Sequence, residues 1–348
     1  MFVALRDLRA ARGRFLLITL VVVLVALLVS FLSGLTAGLA HRNVSAVEKI
    51  TGEAVVFADS GAGPSFDSSV LSPEQIRAWQ QASRTVYPVG IGRGQAAADG
   101  GVPASVALIG TAGPAFRNRP AIAPGTVVLS RPAAQRLSVE TGGRLSIRSQ
   151  AFTVAAIGDD DWYSHSPVVW MALPDWQAAD PRGGPTVLVV SGVHDPAAVN
   201  AAAHTVSTSV RGALPALGSY QAENGSLTLM TVLLFAISAL VIGAFFTVWT
   251  IQRTADIATL KALGATTGSL ARDALGQALL VLLTGTAIGV GGTAVAGAAL
   301  GDTLPFVLDA STTLVPALTL IALGLLGAAA ALRFLVTTDP LHALAQSR

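Results

Sequence analysis

The chain has 348 residues, of which 52% are hydrophobic and only 12% are charged, and its mean hydropathy is +0.62. Soluble globular proteins carry about 25% charged residues, so this composition argues against a soluble enzyme and indicates an integral membrane protein. The formal net charge of +2 gives no reason to expect nucleic-acid binding. The sequence contains no cysteine, which excludes disulfides and thiolate metal sites.

Four apolar stretches are long enough to cross a bilayer as helices, because about 20 residues suffice. They are 15–39, 229–251, 274–300 and 314–336, and Arg333 is the one charged residue in them. The first stretch also has features of a signal peptide, since arginines precede it and Gly38-Leu39-Ala40 resembles a cleavage site. It is too long for the usual apolar region of such a peptide, so we expect an uncleaved anchor.

Basic residues near the ends of these stretches predict their orientation. The N-terminal tail and the loop after the second stretch are basic, whereas the loop between the third and fourth holds Asp302 and Asp309 and no basic residue. We therefore expect both termini in the cytoplasm of a plasma-membrane protein and the large segment outside. The predicted segments are a basic N-terminus 1–14, helix 1 with a stalk 15–50, an extracytoplasmic domain 51–225, helix 2 226–251, a cytoplasmic coupling helix 252–272, helix 3 273–301, an outer loop 302–312, helix 4 313–336 and a cytoplasmic C-terminus 337–348.

The predicted extracytoplasmic domain has mixed α and β patterning. Residues 41–51 continue the first span as a helical stalk, and seven short β-rich runs follow between Gly and Pro residues. These runs are VVF, VALIG, TVVLS, RLSIRS, FTVAAIG, PVVWMAL and TVLVVS. Ser72-Pro73-Glu74-Gln75 predicts a capped helix start. Asp195-Pro196 predicts a second start, with Val199, Ala203, Val206 and Val210 on one face. The fold class is an α-helical membrane protein with an α+β domain inserted between helices 1 and 2.

Polar clusters in this domain give weak signals. Asp159-Asp160-Asp161 lacks the alternating oxygen ligands of a calcium loop, so we expect a solvated loop there. His165, His194 and His204 are not at metal-ligand spacing, and we interpret them as surface or packing residues. No intrinsic metal site and no catalytic residue is predicted.

The spans contain almost no ionisable residues, which argues against an ion-coupled transporter or a charge-lined channel. The third span instead has Gly285-x-x-x-Gly289 and Gly297-x-x-x-Gly301, which allow close helix approach. These glycines serve packing either within one chain or against a second copy.

A short charged segment, RTADIATLKALGA, separates the second and third spans. Ile257, Leu260 and Leu263 fall three apart on one side of a helix that Asp256 favours at its start and Gly264 at its end. Such a helix lies on the membrane surface without a partner, or it docks into a groove of a cytosolic protein.

This segment resembles the motif that follows the second span in FtsX-like, MacB-type ABC transporter permeases. The match comprises Arg253, Ile257, Ala258, Leu260, Lys261, Ala262, Leu263, Gly264 and Ala265, with Asp256 where Glu is usual. Asp339, Pro340, Ala343 and Leu344 resemble the family's C-terminal motif, and residues 127–158 resemble its outer-domain pattern, with Gly143 in place of an acidic residue. The resemblance implies that the coupling residues Arg253, Asp256, Ile257, Leu260, Lys261, Leu263 and Gly264 contact an ATPase.

The resemblance also implies a two-protein machine in the lipid bilayer: a homodimer of this chain with two cytosolic ATPase subunits that carry ATP and Mg²⁺. The sequence agrees, because it has no phosphate-binding G-x-x-x-x-G-K-[ST] motif. No enzymatic activity and no cofactor are expected in this chain. The family expels hydrophobic or amphipathic substrates from the outer leaflet, and the N-terminal segment resembles that of the haem-exporter permeases. The leading hypothesis is therefore haem efflux.

Haem needs axial ligands near the outer membrane surface. The predicted topology places four candidates there: Glu48 and His41 on the stalk, and Tyr220 and Met230 around the start of the second span. Glu48 and Met230 form the favoured pair, although packing explains a methionine and a solvated helix explains a glutamate equally well. Three alternatives remain open: transmission of a signal to an extracellular hydrolase or sensor without transport, export of a lipid, peptide or antibiotic, and a membrane-anchored outer enzyme.

Overall fold

A computed structural model of the chain describes residues 12–118, 122–180, 182–252, 259, 261, 263–301 and 304–336. In chain order its elements are α1 (Arg12–Val44), β1 (Ala54–Ala58), α2 (Pro73–Ala82), β2 (Ser83–Ala98), β3 (Ala104–Thr111), β4 (Thr126–Leu129), α3 (Arg131–Leu137), β5 (Arg144–Ile147), β6 (Gln150–Ile157), β7 (Trp162–Tyr163), β8 (Ser166–Ala172), α4 (Leu173–Ala179), β9 (Val187–Val193), α5 (Pro196–Ala203), β10 (Thr205–Thr208), α6 (Gly218–Gln252), α7 (Thr267–Leu300) and α8 (Ala310–Val336).

The chain divides into two compact units. A helical unit comprises Met1–Gly38 and Leu227–Arg348, and an α+β unit comprises Leu39–Ser226. Helices α1, α6, α7 and α8 are each long and apolar enough to cross a membrane, which confirms the four predicted spans. Helix α6 begins at Gly218 rather than at 226, and α7 begins at Thr267 rather than at 273, because polar first turns continue both helices beyond their apolar stretches.

The helical unit has one apolar core to which all four long helices contribute. Its buried residues include Val22 and Ala26 of α1, Ile242 of α6, Leu282 of α7 and Leu320 of α8. Helices α6 and α8 approach closely at a glycine pair, because a Cβ built on Gly327 would lie 3.0 Å from the Cα of Gly243.

The first predicted glycine motif packs within the chain. A Cβ on Gly285 would lie 2.7 Å from Val22 of α1, and one on Gly289 would lie 2.7 Å from Ala26 and 2.8 Å from backbone atoms of α1. Glycine at these positions therefore lets α7 contact the backbone of α1. For Gly285 and Gly289 the structure supports the alternative of packing within one chain.

The α+β unit is built on one continuous sheet. Among the described residues its strand order is β10-β1-β9-β2-β3-β8-β4-β6-β5, with β7 paired to β8. The far end of the long strand β2 also pairs with β5, so that β2, β3, β8, β4, β6 and β5 form a closed ring. Closure buries one cluster that includes Leu108, Leu129, Leu145 and Phe152 and leaves no free edge on that side of the sheet.

All seven predicted β-rich runs are strands. Of the described strands, β7, β10 and the long strand β2 were not predicted. The glycines of β2, Gly90, Gly92 and Gly94, resemble turn residues in the sequence. The structure explains Gly90 and Gly110 differently, because a Cβ on either would collide with Trp176 of α4. Glycine in a strand often marks such a close approach.

Both predicted helix starts are confirmed, but the second helix is shorter than predicted. Ser72 and Gln75 form the reciprocal capping box of α2, and Asp195 caps α5. Helix α5 ends at Ala203 because His204 adopts a left-handed φ of 51°. Val206 therefore lies in β10, which pairs with β1, and the predicted helical face through Val206 and Val210 is wrong.

The close contact of α7 with α1 predicts a large effect of a single methyl group. Gly289→Ala should destabilise the protein by about 1–3 kcal/mol, because the new Cβ meets backbone that cannot rotate away. Gly291→Ala on the same helix is the matched control, since nothing lies within 4 Å of its Cβ position. The midpoint of thermal unfolding in detergent should fall only for Gly289→Ala, and equal midpoints for the two variants would contradict this packing.

Candidate functional site

The ends of α1 and α6 that belong to the α+β unit meet the β7–β8 hairpin. The junction comprises residues 41–49 after the first apolar stretch, residues 159–166 around the hairpin, and residues 218–223 at the start of α6. All of these residues lie within Leu39–Ser226. The sheet carries the hairpin through β8, which lies between β3 and β4. The junction is therefore anchored in the centre of the sheet.

The hairpin tip caps the C-terminal end of α1. Tyr163 pairs with Ser166, which leaves Ser164 and His165 as a two-residue turn with φ values of 48° and 60°. Their N–H groups donate to the carbonyls of Asn43 (2.8 Å) and Arg42 (2.9 Å). The last carbonyls of a helix lack partners within the helix, so the turn satisfies two of them.

The backbone conformation of this turn is energetically unfavourable. Two consecutive positive φ values define a type I′ turn, which favours Asn-Gly. Ser164 and His165 are neither, and a left-handed conformation at a residue other than glycine costs about 1–2 kcal/mol. Their side chains make hydrogen bonds to α6, which glycine cannot make.

Those side chains tie α1 to α6. Ser164 Oγ lies 2.8 Å from Ser219 Oγ, and His165 Nε2 lies 2.9 Å from the Glu223 carboxylate. Ser219 donates to Asn43 Oδ1 at 2.7 Å, and Asn43 donates in turn to Glu223. One two-residue turn thus hydrogen-bonds both helix ends.

The acidic run before the hairpin holds the segment that follows α1. The Lys49 ammonium pairs with Asp159 at 2.7 Å and with Asp161, whose side chain is fully buried. Asp160 accepts from His41 at 3.1 Å and from the Trp162 indole at 2.7 Å. The hydrogen bond from His41 is the main cause that lowers the pKa of Asp160, despite partial burial. The prediction of a solvated loop therefore holds for Asp159 and Asp160, which are exposed, and is wrong for Asp161.

The predicted stalk is shorter than expected. Helix α1 ends at Val44, and Val47–Lys49 forms a single 3-10 turn. The chain leaves the helix because Ser45 and Ala46 bond to Trp162, and Ala46, Val47 and Ile50 are buried in the core of the α+β unit. The first four residues of the segment are helical as predicted, and the rest belongs to the domain.

The four haem-ligand candidates lie in different surroundings. Glu48 is exposed on the 3-10 turn, and the His41 ring is bonded to Asp160. Tyr220 packs, partly buried, against the core of the α+β unit. Met230 is 51% exposed on α6, within the helical unit. Because Glu48 and Met230 belong to different units, their proposed pairing stays a prediction.

Part of the predicted coupling segment lies within the described residues. Gly264 has the left-handed φ of 93° expected at a helix stop, and its N–H donates to the Lys261 carbonyl at 3.0 Å. Leu263 donates to Thr259 at 3.1 Å, and its side chain is 79% exposed. Arg253, Asp256, Ile257 and Leu260 lie outside the described residues.

The sequence analysis missed the residues that form the junction. It assigned His165 to the surface or to packing, and it did not single out Asn43, Ser164, Ser219 or Glu223. Ser219 and Asn43 are 176 residues apart, and His165 and Glu223 are 58 apart, so no local pattern links them. A single sequence carried one usable signal: polar residues directly flanking the first two spans. Across the described residues, no group of three His, Asp or Glu side chains is placed to hold a metal ion.

Comparison with known proteins finds a family match in the second part of the helical unit. Residues 228–340 match the model of the FtsX-like permease C-terminal family. The chain therefore contains the C-terminal region of an FtsX-like permease. The match covers α6, α7 and α8 with the connecting segments, which are the elements that contain the predicted coupling residues.

Two curated relatives extend the similarity over the whole permease. The putative hemin transport system permease protein HrtB of Staphylococcus epidermidis is 26% identical over 356 residues, covering 99% of each chain. Its counterpart in Staphylococcus haemolyticus is 25% identical over 361 residues, again covering 99% of each chain.

Solved structures resemble the permease over about half of its length. The periplasmic region of MacB from Actinobacillus actinomycetemcomitans gives a TM-score of 0.34 at 11% identity, covering 48% of this chain and 92% of that chain. The extracellular domain of YknZ from Gram-positive bacteria gives a TM-score of 0.31 at 9% identity, covering 47% and 93%.

The junction predicts that the two left-handed turns of the α+β unit respond differently to substitution. Replacing Ser164-His165 by Asn-Gly should keep the turn but remove its bonds to α6. Amide hydrogen exchange in residues 219–224 should then accelerate about fivefold, the equivalent of one lost hydrogen bond of about 1 kcal/mol.

The β5–β6 hairpin provides the matched control. Arg148 and Ser149 form a turn of the same kind, with φ values of 48° and 74° between the paired residues Ile147 and Gln150. Asn-Gly at Arg148-Ser149 should leave exchange in residues 219–224 unchanged. Similar exchange in both variants would show that the Ser164 and His165 side chains do not hold α6.

Proposed function

We propose that this permease works with a separate cytosolic ATPase to expel haem from the outer leaflet of the plasma membrane. The observation that carries the proposal is the similarity to the HrtB proteins, which spans 99% of both chains and so includes the α+β unit and all four long helices. A match confined to the helical unit would support only the general permease assignment.

The energy source lies on another polypeptide in this proposal. A phosphate-binding loop needs a lysine after a glycine-rich turn, and Lys49 and Lys261 are the two lysines of the chain. Lys49 is bound to Asp159 and Asp161, and Lys261 lies in the coupling segment. ATP and Mg²⁺ therefore belong on the ATPase, and this chain needs no cofactor of its own.

The coupling segment is the proposed docking site for that ATPase. Leu263 is exposed directly before the helix stop at Gly264, where an apolar side chain gains from burial in a partner's groove. Arg253, Asp256, Ile257, Leu260 and Lys261 complete the site by resemblance to the family. The proposed assembly contains two permease chains and two ATPase subunits, with both termini of each permease in the cytoplasm.

The junction supports a lever rather than a pore. Its hydrogen bonds connect the end of α1, the start of α6 and the central sheet strand β8, so a displacement of either helix is passed to the sheet. ATP-driven movement at the coupling segments would then change the distance between the two α+β units outside the membrane. Substrate in the outer leaflet would be expelled by that movement.

Haem coordination is proposed to use Glu48 and Met230. Both side chains are exposed, whereas the His41 ring already bonds Asp160 and Tyr220 packs against the core. A thioether is a known axial ligand of haem iron, and a carboxylate is a less usual one. His41 and Tyr220 are therefore the weaker candidates.

A second candidate function keeps the lever but has no cargo. In this alternative the α+β unit transmits the movement driven by ATP hydrolysis to an extracellular hydrolase or sensor. The junction supports both functions equally, because its contacts explain how movement is transmitted and not whether a substrate is moved. Export of a lipid, peptide or antibiotic is a further possibility with the same assembly. Response to haem separates these hypotheses.

Docking through the coupling segment predicts that one charge there abolishes assembly. Leu263→Asp should prevent co-purification of the ATPase, because burying an unpaired carboxylate in an apolar groove costs several kcal/mol. Thr266→Asp is the matched control: it adds the same charge three residues away and keeps an N-cap for α7, which Thr266 now provides through its bond from Ser269. Normal assembly of the Leu263→Asp variant would refute the docking site.

Haem as cargo predicts a response of the purified complex in lipid nanodiscs. Added haem should raise ATPase activity severalfold and give a shifted Soret band, and Glu48→Gln or Met230→Leu should alter that band. Glu140→Gln, an exposed glutamate of the same unit, should leave it unchanged. A complex whose ATPase and spectrum ignore haem would favour transmission without transport.

A further inference from the structure

The Arg42 guanidinium is held in place without a carboxylate partner. Its carbon lies 4.8 Å from the centre of the Trp162 ring, at cation–π distance, and the side chain is half-buried. The Arg42 carbonyl accepts from His165 at 2.9 Å, which also fixes the backbone. Within the described part of the chain, no side-chain hydrogen bond or salt bridge engages the Arg42 guanidinium.

This is unexpected because the junction is rich in carboxylates. Asp160 accepts from His41 and from the Trp162 indole, and Glu223 bonds His165 and Asn43. An arginine is always charged and carries five donors in a fork that suits carboxylates, whereas a histidine is charged only in part near neutral pH. Arg42, which is always charged, is thus left without a carboxylate partner, whereas His41 bonds Asp160 and His165 bonds Glu223.

The sequence places this cation at a boundary. Arg42 is the first arginine after the apolar stretch 15–39, and it lies within the last turn of α1. Trp162, on which it stacks, is 8% exposed. The Trp162 ring covers one face of the guanidinium, and the N–H groups at its edge remain available as donors. Such a group can bind a planar anion in a fixed orientation.

We infer that Arg42 binds the carboxylate of an amphipathic substrate, with Trp162 holding the guanidinium in orientation. The inference rests on the proposed function, in which that substrate is haem and the carboxylates are its propionates. His41 and His165 contribute indirectly, because they occupy Asp160 and Glu223 and so keep both acids from neutralising the guanidinium. Arg42 is a specificity-determining residue in this scheme, and the iron ligands are separate from it.

A chemical double-mutant cycle tests the inference. Affinities of haem and of haem dimethyl ester, whose propionates are neutral, are measured by Soret titration of the purified permease–ATPase complex. The wild-type complex should bind haem about tenfold more tightly than the ester, as for one charge-assisted hydrogen-bonded pair. Arg42→Gln should narrow this ratio to about twofold or less, and Arg42→Lys should retain part of it. Differences in partitioning of the two ligands cancel in the cycle.

Arg144→Gln, an exposed arginine on β5, is the matched control and should keep the full ratio. An Arg42→Gln complex that discriminates as well as wild type overturns the inference while haem binding stands. A wild-type complex that binds neither ligand overturns the proposed function and the inference together.

A lipid phosphate is the other source of a matching anion, and the same titrations separate it. They are run in a maltoside detergent and in phosphatidylglycerol nanodiscs. Substrate recognition predicts the loss of discrimination in both. If Arg42→Gln weakens haem and its ester equally, and only in the nanodiscs, the residue binds lipid and the inference is wrong.

Discussion

The hydrogen bonds between the β7–β8 turn and the last turn of α1 are the constraint on which the junction depends. A helix that leaves a bilayer ends with unpaired carbonyls, which water or a flexible loop ordinarily satisfies. Here the Ser164 and His165 amides satisfy two of them from a strand in the centre of a sheet. Because the turn is itself strained, it persists only while the surrounding contacts hold it. The end of α1 and the sheet therefore move as one body.

The charges of the junction follow from this geometry. Fixing the turn places His165 beside Glu223, and fixing the end of α1 places His41 beside Asp160. The hydrogen bond between His41 and Asp160 lowers the pKa of Asp160 below its ordinary value of 3.8 and raises that of His41 above 6.5. The charged pair is therefore weakened at low pH by protonation of Asp160 and at high pH by deprotonation of His41. Lys49 is held by two further carboxylates. Asp159, Asp160, Asp161 and Glu223 thus each have a partner other than Arg42.

Sequence reasoning predicted what depends on local pattern. Apolar length gave the four spans, β-rich runs bounded by Gly and Pro gave seven strands, and Ser72 and Asp195 gave helix starts, because each depends on neighbouring residues. It failed where tertiary contacts decide: Gly90 of β2 accommodates Trp176, and the left-handed His204 ends α5. The ion pairs of the acidic run were not predicted because their cation, Lys49, is 110 residues away from Asp159. The junction could not be predicted from the sequence for the same reason, since its hydrogen bonds join three segments that are distant along the chain.

The helical unit offers little to a hydrophilic solute. Its hydroxyls mostly bond to carbonyls of their own helix, as Ser238 does to Leu234 and Thr250 to Phe246. Gly289 brings α7 against the backbone of α1, which leaves no room for a path between these two helices. A polar substrate crossing such a bundle would lose its hydration without replacement. An amphipathic molecule already dissolved in the lipid escapes that cost, and only its charged groups need a protein partner near the surface. A single stacked guanidinium at the end of α1 is the kind of group that such a substrate requires.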